Sequence, residues 1–366
     1  MTRPTANEYV PEFVSVPGET LQEVLDDRGI SQAELAERTG RPKKTINEII
    51  RGKAAITPET ALQLERVLGI PAAFWNNLER NYRENRAGLA ERAELQAQGD
   101  WMKSLPVAAM VKKGWIKKGA DKVDQLRELL NFFGVATPSR WDELVGAAAF
   151  RKSSAFDVDP GALAAWLRKG EIEGRNMVCG SFDRVRFSAV LDRVRTMTQQ
   201  PFSDAFPTAQ EMCASVGVAV VIVPELPKTR VNGATRWLSK DKALLQLSLR
   251  YQKEDIFWFS FFHEAAHILL HGKREIFVDG KGSEGDLEQE ADVFAGNALI
   301  PREQYRRFAT RPRFLKASVI EFATSVGVHP GIVVGRLQHE KHIRHNQLNE
   351  LRRPIDLNEL VAAAVQ

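Results

Sequence analysis

Residues 255–272 read DIFWFSFFHEAAHILLHG, and within them His263-Glu264-x-x-His267 restricts the possible folds more than any other stretch. Residues four apart on a helix share one face, one turn up, so a helical segment brings both imidazoles to a single ion. Two neutral imidazoles suit zinc, and Glu264 between them can take a proton from water activated by the ion. The run is apolar nearly all round, as a buried helix is, and Gly272 is a fitting C-terminal stop. The bland alternative is a buried helix whose histidines are satisfied by hydrogen bonds alone. A second pattern weighs against it: Glu288-x-x-x-Asp292, in DLEQEADVFAGNALIP, also has one-turn spacing, on a helix with Phe294, Ala295, Ala298 and Leu299 as its core stripe. A zinc site with two histidines needs a third protein ligand and one open position. Glu288 can be that ligand, and Asp292 can accept the N–H of a ligand imidazole. Glu290 points to another face. His271 continues the histidine stripe, but its Cα lies about 12 Å along the axis from that of His263, too far to share the ion; it reads as a helix-end histidine.

HExxH followed by ExxxD resembles the gluzincin metallopeptidases. The fuller pattern, FFHEAAHILLH with EQEADVFAGNALIP, is similar to the ImmA/IrrE family of bacterial metallo-endopeptidases over residues 213–351. That resemblance implies Zn2+ held by His263, His267 and Glu288, Glu264 as general base, and a protein substrate such as a repressor or toxin-antitoxin partner. The family usually carries Asn where this chain has Asp292; either residue can accept from an imidazole.

Toward the N-terminus, short helices follow one another from residue 18 to about residue 85. Thr20 can cap the first, Ser31 with Glu34 forms a capping box on the second, Pro42 suits the start of the third, Thr57-Pro58 opens a fourth and Pro71 a fifth. The second and third are joined at Gly40, and the third is apolar on the Ile46/Ile49/Ile50 side and polar elsewhere, as in a helix-turn-helix. Arg41, Lys43, Lys44, Arg51 and Lys53 stand against one acid, Glu48, over residues 41–53. Cations there meet phosphates, and Asn47 can read a base edge, with Gln32 and Thr45 as further contacts. A charge run is usually only a solvated face; its coincidence with this register favours double-stranded DNA. SQAELAERTGRPKKTINEIIRGK, ITPETALQLERVLG and AFWNNLERNY resemble Cro/C1-type domains, those of HigA-type antitoxins above all, which implies promoter binding as a homodimer. The usual Ser at the start of that recognition helix is Pro42 here.

Between these two regions, residues 86–210 form mainly helical patterns whose Trp, Leu and Phe stripes read as core and whose Lys112, Lys113, Lys117 and Lys118 read as a solvated face. From residue 213 the pattern becomes β-branched: VGVAVVIVPEL, ATRWLS and ALLQLSL read as strands, the last two joined at SKDK. Residues 280–285 read as a loop able to gate the site. SVIEFATSVGVHPGIVVGRLQHEKHI reads as a helical packing module, with His339, His342 and His345 on an exposed face. A formal net charge of +4 permits a nucleic-acid surface without requiring one. Cys179 and Cys213 form no CxxC, and the N-terminus has no signal-peptide shape, so a cytoplasmic protein with free thiols and no membrane contact is expected.

The expected fold class is α+β and predominantly α-helical. A five-helix DNA-binding domain spans 1–85, a helical linker, docking or sensory region spans 86–210, and a zincin-like peptidase domain with a small sheet spans 211–366. The expected function is a DNA-binding regulator with a zinc-dependent endopeptidase. The alternative is an antitoxin-like repressor whose zinc domain is structural or sensory.

Overall fold

The computed structural model describes residues 15–146, 158–272, 277–280 and 285–356. The chain divides into two compact units, Met1–Gly99 and Asp100–Gln366.

The first unit holds α1 (Pro17–Asp27), α2 (Gln32–Thr39), α3 (Lys43–Ile50), α4 (Pro58–Leu68) and α5 (Ala72–Ala97). One apolar side of each faces inward, where Leu21, Leu25, Leu35, Ile46, Ile49, Leu64 and Trp75 are buried together. Gly40 takes the left-handed conformation (φ 69°) that ends α2 and turns the chain into α3. The caps depart from expectation in two places. The Ser31 hydroxyl accepts from the Glu34 N–H at 3.1 Å, but the Glu34 carboxylate turns to Arg38, so the reciprocal half of the capping box is missing. Helix α1 begins at Pro17 with Val16 as its cap, so Thr20 lies inside the helix. Helix α5 runs unbroken past residue 85, because no proline interrupts residues 72–97 and Gly88 alone does not stop it.

The second unit opens with α6 (Val107–Lys112), α7 (Lys122–Phe133), α8 (Pro160–Asn176), α9 (Arg184–Met197) and α10 (Phe202–Ser215). The sheet follows: β1 (Val218–Ile222), β2 (Val231–Ser239), β3 (Lys242–Leu247) and β4 (Phe277–Gly280), in the order β1-β3-β2-β4. Strands β1 and β3 are parallel; β2 is antiparallel to both β3 and β4. The three strands expected from sequence are present, and β4 is added at the edge. Next come α11 (Glu254–Leu270), α12 (Asp286–Leu299), α13 (Arg302–Ala309), α14 (Lys316–Val326) and α15 (Pro330–His339).

Side-chain alternation gives the sheet two apolar faces. Val218, Val220, Ala243, Leu245 and Leu247 pack with Phe257, Trp258 and Phe261 of α11, while Ala219, Val221 and Leu244 pack with Leu163 and Trp166 of α8. Helix α8 therefore forms the back layer of the sheet, within the stretch that reads in the sequence as a linker, docking or sensory region. Its approach is close: a Cβ on Gly170 would land on the Gln246 amide, and one on Gly174 would lie 2.7 Å from Leu244 Cδ1. Two buried hydrogen bonds tie the layers, Trp166 Nε1 to the Val223 carbonyl (2.8 Å) and Gln246 Nε2 to the Trp166 carbonyl (2.7 Å). Helices α14 and α15 meet at 111° and bury Val319, Ala323, Ile332 and Val333 in the core shared with α11, the packing role expected of them. Among the described residues no single helix is long and apolar enough to cross a membrane. The expected gate loop lies largely outside the described residues.

Candidate metal centre

Helix α11 is buried along almost its whole length, which puts His263, Glu264 and His267 at 2%, 0% and 1% exposure. Helix α12 packs beside it and brings Glu288 and Asp292 to the histidine stripe. His263 Nε2 lies 3.1 Å from His267 Nε2 and 3.1 Å from Glu288 Oε2, and His267 Nε2 lies 3.6 Å from that same oxygen. Ligands at about 2.05 Å in a tetrahedron around zinc stand roughly 3.3 Å apart. The triad already has those separations, and the donor set, two imidazoles and one carboxylate, is one zinc accepts. No other group of three such side chains converges this way among the described residues.

Protonation suits an ion as well. Burial lowers the pKa of His267, favouring the neutral ring. Burial alone would raise the pKa of Glu288, but hydrogen bonds from His263 and His267 and their charges outweigh it and bring the pKa to about 2. A neutral imidazole and an ionised carboxylate are the forms that bind a cation.

Each ligand ring is held from behind. His263 Nδ1 stands 2.8 Å from Asp292 Oδ1, which leaves its Nε2 lone pair facing the triad centre. His267 Nδ1 stands 2.7 Å from His271 Nδ1, and His271 Nε2 stands 3.3 Å from Glu290 Oε2. His271 caps the helix, as expected, but it also orients His267, a role that axial distance alone did not reveal. Glu290 reaches the centre only through it. Glu264 lies between α11 and β2. Its Oε2 accepts from the Thr235 hydroxyl at 2.6 Å, and a Cβ on Gly233 would lie 2.5 Å from its Oε1. Glycine at 233 thus lets the strand close over the carboxylate. Thr235 was not singled out by sequence; period-two alternation from a predicted strand beside the metal helix is the signal that could have found it.

Three polar residues close in sequence to the metal helix have other surroundings. Arg236 neighbours Thr235 on the strand and therefore points to the opposite face, where it pairs with Glu171 of α8 at 3.2 Å. Arg250 donates to the Arg230 carbonyl at 2.8 Å, and Tyr251 is exposed.

In the first unit, Lys43, Lys44, Arg51 and Lys53 are exposed, and Thr45 and Asn47 are half-buried. Asn47 Nδ2 lies 3.4 Å from Gln32 Oε1, so the start of α2 and the middle of α3 present one polar face. Arg41 differs: its guanidinium is committed to Gln63 (2.5 Å) and Glu59 (3.5 Å) of α4.

Residues 21–75 match the helix-turn-helix family, and residues 232–338 match the IrrE N-terminal-like domain family. An uncharacterized HTH-type transcriptional regulator, YddM, of Escherichia coli K12 is 38% identical over 63 residues, 17% of this chain and 67% of that protein. Virulence-associated protein I of Dichelobacter nodosus is 40% identical over 67 residues, 18% of this chain and 62% of that protein. This chain thus spans about two thirds of the length of the curated relatives it matches. Among solved structures, a putative antidote protein of a plasmid maintenance system from Nostoc punctiforme is 32% identical over 23% of this chain and 91% of its own, with a TM-score of 0.22. The Pseudomonas aeruginosa antitoxin HigA, solved with the higBA promoter, is 31% identical over 23% and 94%, also with a TM-score of 0.22. The chain belongs to the helix-turn-helix family through its N-terminal unit, and it carries an IrrE-like peptidase-family domain in its second.

Proposed function

We propose that this protein is a DNA-binding transcriptional regulator whose second unit is a zinc-dependent endopeptidase, with a repressor or antitoxin protein as substrate. One observation carries the reading: His263, His267 and Glu288 converge at ligand spacing beside a fully buried Glu264. Zinc, when held there, acidifies water and polarises a carbonyl. The residues of the chain supply the rest. Asp292 and His271 keep the two imidazoles aimed at the centre. Thr235 fixes the Glu264 carboxylate. Glu264 takes the proton of the attacking water and returns it to the leaving amine. A structural metal site has no use for a buried carboxylate at that position.

At the other unit, Lys43, Lys44, Arg51 and Lys53 contact phosphates, while Asn47, with Gln32 and Thr45, meets base edges. A homodimer would set two such helices on two half-sites. Arg41 serves the packing of α3 on α4 rather than DNA.

The test is Glu264→Gln in the full chain. The variant should bind zinc as the parent does and should fail to cut the repressor or antitoxin proteins encoded beside it. If parent and variant regulate identically and neither cuts any of those proteins, the ion is structural or sensory and the peptidase reading falls.

A further inference from the structure

Helices α11, α12, α13 and α15 border an open cavity of about 890 Å3 on the Asp292 side of the metal centre. Sites for small organic ligands run from roughly 300 to 1,000 Å3, are mostly apolar, and contain a few placed polar groups. This cavity has that make-up. Ile256, Phe259, Leu299, Ile300 and Ile332 form its apolar wall. Tyr305 lines it at 3% exposure, with its hydroxyl beside the Glu340 carboxylate and the Arg336 guanidinium.

Charge selects the class of ligand. Four arginines line the cavity (Arg302, Arg306, Arg336 and Arg352) against three carboxylates, Asp255, Asp292 and Glu340. The carboxylates are all engaged: Asp255 with Arg352 at 2.6 Å, Glu340 with Arg336 at 2.9 Å, and Asp292 with His263. Arg336 also lies over the Tyr305 ring at 3.8 Å and donates to the Gly296 carbonyl at 2.7 Å, so it is a fixed part of the wall. Arg302 has no ion pair among the described residues, and Arg306 has only a 3.8 Å pairing with Glu303 between two exposed side chains.

We propose that this cavity binds a small amphipathic organic anion, its apolar body against the Ile256/Phe259/Ile332 wall and its charged head toward Arg302 and Arg306. The Tyr305 hydroxyl is the polar contact inside. Asp292 borders the same space, so an occupant touches the carboxylate that orients His263 and couples the ligand to the metal centre. The inference goes beyond peptide cleavage and stands whether or not a protein is cut.

The experiment is a fluorescence titration of the full chain with anilinonaphthalene sulfonate and with its uncharged parent, N-phenylnaphthylamine. The anion should bind saturably at one site. Ala309→Trp and Thr310→Trp, two wall positions outside the metal centre, should each weaken it tenfold or more; Thr310 is exposed, so at least that variant folds. Arg302→Glu with Arg306→Glu should weaken the anion about tenfold, about 1.4 kcal/mol, and leave the neutral probe within a factor of about two. Absence of saturable binding, binding indifferent to both fillers, or equal anion affinity in the charge-reversed protein would each overturn the proposal. So would a filler that changes which residues flank the cut in a substrate while leaving dye binding intact, since the cavity would then be a peptide subsite. Zinc binding and cleavage by the parent are read separately, so loss of the peptidase function leaves this result standing.

Discussion

Replacing Asp292 by leucine should weaken zinc binding about ten- to thirtyfold, whereas Asp292→Asn should leave it within about threefold. The figure follows from one contact. Asp292 Oδ1 stands 2.8 Å from His263 Nδ1, and the His263 ring is 3% exposed while the Asp292 side chain is 52% exposed. A hydrogen bond to a charged group is worth about 1.5–3 kcal/mol, and solvent on the carboxylate side places this one at the lower end, about 1.5–2 kcal/mol. At about 1.4 kcal/mol per tenfold this matches the tenfold to hundredfold loss typical when the group behind a ligand histidine is removed. Leucine removes the acceptor, frees the ring and lets its tautomer change. Asparagine keeps an oxygen acceptor at the same place and loses only the charge. The assay is competition with a coloured zinc chelator at neutral pH, with circular dichroism to confirm that each variant folds. A leucine variant that matches the parent within twofold would refute the reasoning, because His263 would then be positioned by its helix alone. An asparagine variant as weak as leucine would assign the effect to charge and refute the orienting role.

Gly170→Ala should destabilise the second unit by about 1–4 kcal/mol despite the better helix propensity of alanine, because the new methyl displaces the buried Gln246 amide from the Trp166 carbonyl. Urea unfolding measures it, and a gain of about 1 kcal/mol would show that α8 does not sit tight on the sheet. His329 gives a pH dependence: burial, helped by Arg353, lowers its pKa from 6.5 to about 4 in the folded protein. The unfolded chain therefore takes up the proton first, so stability is full above pH 6.5, declines as the pH falls toward 4, and levels off below. His329→Asn should flatten that interval in thermal melts of metal-free protein, and an unchanged slope would refute the assignment. Lys44→Ala and Asn47→Ala should both weaken promoter footprints, with a shallower salt dependence for the lysine variant only. Equal footprints for parent and variants would remove α3 from the groove.

Strong periodicity made much of this structure readable from sequence. The α11 helix, the turn at Gly40, the three strands and the pairing of two ligand-bearing helices rest on local spacing, which survives into the fold. The features not read in advance are tertiary. Thr235 and Gly233 meet Glu264 only because β2 lies under α11, some thirty positions away in the chain. Rise along the axis sets His271 apart from the ion, whereas its role depends on how a helix-capping side chain swings back to His267. Arg41 looked like one more cation in a basic run; its partners on α4 come from a later helix. Helix α8 reads as an ordinary amphipathic stretch, and nothing local in Gly170 or Gly174 says that a sheet presses against them.

That last contact sets a limit on how the protein can be shortened. A fragment begun at residue 211 would lose Leu163 and Trp166 and bare a hydrocarbon strip of Ala219, Val221 and Leu244 to water, and one trimmed to residues 232–338 would lose β1 as well. Such pieces should aggregate when expressed, while one begun at Asp100 keeps its own cover and should stay dispersed.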